Sequence, residues 1–140
     1  MKMDETPKRK MLIEMPIPVH SYDVDYMQIV NNTVYVKWFE NLRMAILDKY
    51  FPLAEMMKFH NMLILSETIV EYKRSIGPYD KPTGVAWIDE LERSRWVTRF
   101  EISVGGALYC TGKQTGCYFS LDTRRSTRFP PEFLESYAKM

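Results

Sequence analysis

The stretch from Thr33 to Leu47, TVYVKWFENLRMAIL, constrains the fold more than any other part of the chain. It is long enough for about four helical turns, and Asn31 or Asn32 is expected to serve as its N-cap. Its apolar residues do not keep to one stripe. Val34, Trp38, Leu42 and Ala45 form one face, while Tyr35, Phe39 and Ile46 cover an adjoining one. A helix that is apolar round most of its circumference has to be wrapped by other structure. Phe51-Pro52 ends it, and a second short helical piece is expected from Leu53 to Phe59.

The wrapping material is supplied by strands. Residues 11–20 read as a first strand whose prolines, Pro16 and Pro18, suit a sheet edge. Leu63 to Ile76 alternates imperfectly, with Ile64, Val70, Tyr72 and Ile76 on one parity. The turn-rich Gly77-Pro78-Tyr79-Asp80-Lys81-Pro82 leads into a strand from Val85 to Glu92. Arg95 to Val104 alternates cleanly, Trp96, Thr98, Phe100, Ile102 and Val104 against Arg95, Arg99, Glu101 and Ser103. Gly105-Gly106 supplies a hairpin turn into a long last strand, Ala107 to Leu121. Residues 129–138, opening Phe129-Pro130-Pro131-Glu132, suggest a terminal helix. A meander of antiparallel strands curled around one apolar helix is the packing solution, an α+β arrangement whose edges favour self-association. No activity follows from that geometry.

Composition narrows the function classes. At 140 residues, 46% hydrophobic and 26% charged, the chain reads as one packed domain: a solvated, flexible tail is expected over 1–10, then a single domain over 11–140. Nineteen basic against eighteen acidic residues, a formal net charge of +1, argue against nucleic-acid binding through bulk electrostatics. Glu14 and two prolines interrupt the apolar run after Lys8-Arg9-Lys10, so neither a signal peptide nor a membrane span is expected. Cys110 and Cys117 have odd spacing in one strand and face opposite sides, which disfavours a mutual disulfide. No zinc pattern is present, and a reducing cytoplasm is the simplest location. His20 and His60 are lone histidines; the ten methionines suit a plastic core more than a lipid-facing pocket.

The run Tyr22-Asp23-Val24-Asp25-Tyr26-Met27-Gln28-Ile29-Val30-Asn31-Asn32, continuing through Tyr35 and Trp38-Phe39-Glu40 to Arg43, closely resembles the signature of the 4-hydroxybenzoyl-CoA thioesterase family. The Val-Asn-Asn element is also similar to that of related acyl-ACP thioesterases. Glu71-Tyr72, the Glu- and Arg-rich strand from Glu90 to Ser103 and the C-terminal Phe-Pro-Pro segment fall where the family has counterparts. The resemblance implies the hotdog fold, an antiparallel sheet around one long central helix, and hydrolysis of an acyl-CoA or acyl-ACP thioester to free acid and thiol. It implies no metal and no organic cofactor. It also implies a homodimer or homotetramer with its sites between subunits.

Carried over residue by residue, the resemblance makes Asp25 the nucleophile or general base. The backbone amide of Asn32, at the start of the helix, becomes the oxyanion donor. Gln28 stands where the family has glycine; the turn is then expected to differ slightly, or the side chain to help orient the thioester. Tyr35 is assigned to the acyl pocket, and Arg93, Arg95 and Arg125 to the carrier's phosphates or to an acidic carrier protein. Glu40 is the second-choice catalytic acid, although pairing with Arg43 three residues on is its more ordinary role. Asp23 is expected to hydrogen-bond its own loop. Two alternatives stay open: a non-catalytic acyl-CoA-binding hotdog protein, and another hotdog enzyme such as a dehydratase, which would want a histidine that neither His20 nor His60 supplies at the right spacing.

Overall fold

The computed structural model describes residues 8–140. Most of the expected tail therefore lies outside the described residues, while Lys10 already begins a strand. In chain order the elements are β1 (Lys10–Pro16), α1 (Val34–Tyr50), α2 (Leu53–Lys58), β2 (Asn61–Tyr72), β3 (Thr83–Glu92), β4 (Arg95–Val104), β5 (Ala107–Ser120), β6 (Arg125–Ser126) and α3 (Pro131–Lys139). A 3-10 turn at Ser21–Asp23 precedes α1. The strands form one antiparallel sheet in the order β1-β3-β4-β5-β2, with β6 pairing the end of β5. The expected hotdog architecture is borne out, with α1 packed on the inner face of a curled sheet.

That packing follows from side-chain size. The rings of Phe39 on α1 and Phe100 on β4 stack with centroids 4.5 Å apart. Gly112 on β5 lies directly beneath the Phe39 ring, in space that any Cβ would overlap. A larger residue there would push the helix off the sheet. Near the end of the helix, Leu47 and the Phe51 that follows its last turn join Trp96, Tyr118 and Phe129 in a second apolar cluster, which α3 covers through Phe133 and Leu134. Gly105 and Gly106 take φ values of +57° and +82°. Positive φ at both central residues matches the right-handed twist of the flanking strands, so this hairpin forms as expected.

Four details differ from the sequence reading. First, α1 is buried on one side only within the single chain: Val36, Lys37, Glu40, Asn41, Asp48 and Lys49 are exposed, because the sheet curls only part of the way round. Second, neither Asn31 nor Asn32 is the N-cap. Thr33 holds that position without a side-chain cap, and the Asn31 Oδ1 instead accepts from the Thr33 amide at 3.0 Å and its hydroxyl at 2.8 Å. Third, the register of β2 shifts between Leu65 and Glu67, a bulge at Ser66 whose hydroxyl donates to the Thr115 carbonyl. One extra residue reverses side-chain parity, so Ile64 pairs Cys117 on the outer face while Val70 and Tyr72 pair Gly112 and Cys110 on the inner one. Fourth, β1 stops at Pro16, and the Ile17 amide turns to the Pro82 carbonyl. The edge position expected for β1 is observed.

Candidate functional site

Asp25 sits in a tight hairpin that leads into α1. Val24 bridges Val30, the Asp25 amide donates to the Ile29 carbonyl at 3.0 Å, and the Asn31 amide donates to the Asp23 carbonyl at 2.9 Å. The reversal itself is closed by the Gln28 amide on the Asp25 carbonyl and by the Met27 amide on Asp25 Oδ1, at 3.0 and 2.8 Å. One carboxylate oxygen is thus committed to the turn. The other, Oδ2, has no partner among the described residues, and Asp25 is half-buried. Gln28 has φ +61°, the left-handed conformation that glycine adopts freely. Gln28 reaches this conformation with strain. The Gln28 side chain is exposed.

Asp23 behaves as expected of a structural residue. It is 6% exposed, and its Oδ2 accepts from the His20 amide at 2.9 Å. It lines a cleft on the β1 side of α1 together with His20, Lys37, Trp38 and Asn41.

The start of α1 presents an unused donor. The amides of Val30, Asn31, Thr33 and Val34 bond Ile76 O, Asp23 O, Asn31 Oδ1 and Asn31 O. Within this run the Asn32 amide alone has no acceptor among the described residues. It borders a small open hollow lined by Ile29, Val30, Tyr35, Tyr72, Lys73 and Arg74. Tyr35 forms the inner wall at 2% exposure, its ring edge-on to Tyr72 at 5.0 Å. Burial pushes the Tyr35 phenol up to about 12.

The remaining candidates lie elsewhere. Glu40 is exposed on the outer face of α1. Its expected pairing with Arg43 does not occur: Arg43 turns inward, donates to Gln114 Oε1 and lies 5.4 Å from the Trp96 ring. A buried amide oxygen and an aromatic face outcompete an exposed carboxylate, and burial lowers the Arg43 pKa. Arg93, Arg95 and Arg125 gather at one end of the sheet: Arg95 pairs Cys117, Arg125 pairs Ser120, and the Arg93 carbonyl accepts from the Phe129 amide. Arg95 also forms an exposed ion pair with Glu90 at 3.2 Å. Asn32 is tied through Tyr72 to the other end, where Tyr72 pairs Cys110. At the ~3.3 Å rise per strand residue, the seven steps from Cys110 to Cys117 separate the two ends by roughly 23 Å.

A single chain thus carries Asp25 and Gln28 on the hairpin and Asn32 and Tyr35 on the helix start that follows it, with only the latter two lining the hollow, and leaves the three arginines at the far end of the sheet. Sequence reasoning passed over Lys73 and Arg74, although both directly follow the Glu71-Tyr72 pair it had marked. His60 is paired with Asp122 at 3.3 Å, and His20 stacks on Tyr22. Among the described residues no group of three or more His, Cys, Asp or Glu is placed to hold a metal ion, and no helix is long and apolar enough to cross a membrane.

Comparison with known proteins places this architecture. The thioesterase-like superfamily profile matches residues 19–136. The crystal structure of a DHNA-CoA thioesterase from Staphylococcus aureus superposes with a TM-score of 0.84 at 27% identity, over 91% of this chain and 89% of that one. A second Staphylococcus aureus protein, solved in complex with CoA, gives 0.85 at 20% identity over 96% and 87%. A 1,4-dihydroxy-2-naphthoyl-CoA thioesterase from Synechocystis gives 0.81 at 14% identity over 92% and 97%. A sequence comparison with curated proteins finds no significant match. The chain belongs to the thioesterase-like superfamily and carries the hotdog fold of its thioester-hydrolysing members.

Proposed function

We propose that the chain hydrolyses an acyl-CoA thioester, with Asp25 as general base or nucleophile and the Asn32 amide as oxyanion donor. The observation that carries this reading is the occurrence, on one short segment, of a carboxylate with a free oxygen and an amide with no acceptor among the described residues. As a base, Asp25 takes a proton from water as the hydroxide adds to the thioester carbonyl. The Asn32 amide receives the charge that develops on oxygen; such a donor contributes about 2.7–4 kcal/mol to the transition state. Collapse of the tetrahedral intermediate expels the thiolate, which takes the proton back from Asp25, leaving free acid and CoA thiol. As a nucleophile, Asp25 instead forms a mixed anhydride that water opens. Gln28 helps orient the thioester, and Tyr35 bounds the acyl group.

The working unit is a homodimer or a dimer of dimers with the site shared. The outer edge of β2 has no strand beside it among the described residues, and twelve unpaired residues make a strong template for pairing. Two copies joined antiparallel along β2 would set the Tyr72 end of one against the Asn61 end of the other. Because Asn61 pairs Ser120, which also pairs Arg125, this arrangement carries Arg93, Arg95 and Arg125 of a second copy toward Asp25. They then meet the phosphates of CoA or an acidic carrier protein. Buried Cys110 and outward Cys117, both free thiols, suit a reducing cytoplasm.

The likeness to a DHNA-CoA thioesterase at 27% identity supports acyl-CoA as the substrate class. Purified protein and Asp25→Asn, mixed with a thiol-reactive dye and a panel of acyl-CoA and acyl-carrier-protein substrates, test the proposal. The substitution is expected to lower kcat at least about 100-fold. Turnover by Asp25→Asn as fast as the parent would remove Asp25 from the chemistry. A parent that binds acyl-CoA without releasing thiol would establish the binding-only alternative.

A further inference from the structure

We propose that Tyr72 is a positioning residue for the Asn32 amide, an inference that rests on the Asp25–Asn32 reading above. This amide belongs to the Asn31–Asn32 peptide, whose own carbonyl accepts from the Val34 amide at 2.9 Å, and the peptides on either side of it are held as well. On one side the Asn31 amide bonds the Asp23 carbonyl at 2.9 Å. On the other, the Tyr72 hydroxyl donates to the Asn32 carbonyl at 2.8 Å. The local sequence adds the Asn31 Oδ1, which accepts from the Thr33 amide and hydroxyl, while Asn32 and Thr33 are themselves exposed. Of these restraints, only Tyr72 reaches the helix start with a side chain from the sheet.

Tyr72 is itself well anchored. It pairs Cys110 across β2 and β5, and its ring meets core residue Tyr35 edge-on. The ring is half exposed, and its phenol, ordinarily near 10.0 and raised by partial desolvation, is a donor at neutral pH. The Ser66 bulge is what turns it inward; without that extra residue its side chain would face the outer surface. An oxyanion donor works only if it is aimed before the charge develops. Tyr72 therefore acts on the transition state through the backbone and makes no demand on ground-state binding.

Tyr72→Phe keeps the ring and removes the hydrogen bond. Against the acyl-CoA the parent hydrolyses fastest, it should lower kcat about 3–10-fold, the rate equivalent of one lost hydrogen bond. KM should stay within about twofold, since the hydroxyl is engaged by the Asn32 carbonyl and the ring that lines the hollow is kept. An unchanged kcat, or a raised KM at unchanged kcat, overturns the proposal. Asp25→Asn measured alongside separates the two readings: full activity in that variant sinks the Asp25–Asn32 chemistry, whereas an inactive Asp25→Asn beside an unimpaired Tyr72→Phe sinks only the positioning role. The Asn32 amide resonance gives a readout independent of turnover. With a non-hydrolysable ketone analogue of acyl-CoA it should move downfield in the parent and less in Tyr72→Phe; equal movement in both proteins overturns the proposal even if the parent hydrolyses nothing.

Discussion

Replacing Gln28 by glycine should stabilise the protein, because the turn that presents Asp25 asks this residue for a conformation that costs it energy. Gln28 has φ +61°, and an L-residue held in the left-handed region costs about 1–2 kcal/mol. Its exposed side chain forms no hydrogen bond among the described residues that the substitution would remove. Glycine relieves the strain but gives back about 0.5–1 kcal/mol through the greater freedom of the unfolded chain. The net gain is about 0.5–1 kcal/mol. For 140 residues, an unfolding entropy of ~2.1 cal/mol/K per residue turns that into a Tm rise of about 2–3 °C. The control is Gln28→Ala, which removes the same side chain and keeps the positive φ. Thermal and urea unfolding of the three proteins should order them with Gln28→Gly clearly above Gln28→Ala. A glycine variant no more stable than the alanine one would refute the reasoning. Kinetics on the same pair report the proposed orienting role: if the side chain directs the thioester, both variants lose activity together despite their different stabilities.

Gly112→Ala should destabilise the chain by about 1–3 kcal/mol, since the added methyl overlaps the Phe39 ring and the helix must shift; denaturant unfolding at constant m-value measures this, and a loss below about 0.5 kcal/mol would contradict the close packing. Stability should also fall in alkali. The Cys110 thiol, ordinarily near 9.0, and the Tyr35 phenol, ordinarily near 10.0, are both pushed up to about 12 by burial. The folded protein therefore keeps protons that the unfolded chain releases. Their stabilisation is complete below about pH 9 and is lost as pH rises toward 12. Urea midpoints across that window should decline, and Cys110 should resist alkylation at pH values where Cys117 reacts; two equally fast thiols would contradict the burial.

What could be read in advance was set by local chemistry. The strand alternation of Arg95–Val104, the Gly105-Gly106 turn and the long apolar helix follow from periods and turn preferences that neighbouring residues dictate. The block from Tyr22 to Arg43 marked Asp25 and Asn32 through resemblance, and the structure adds the free carboxylate oxygen and the unpaired amide. Arg43 shows the limit of local reasoning: helical spacing pointed it at Glu40, yet a buried amide on β5 offered a better partner from 71 residues away in sequence.

The tertiary structure decided the rest. Simple alternation along β2 fails because one inserted residue at Ser66 reverses every later side chain, and only pairing with β5 reveals the bulge. The same pairing carries Tyr72 to the Asn32 carbonyl, and the length of β5 separates the arginines from Asp25 within one chain. Sequence by itself determined which segments become helix and strand and which residue types meet at the helix start. Which of those residues touch depended on long-range pairing, because register and close approach are properties of two segments together and leave no period in either one.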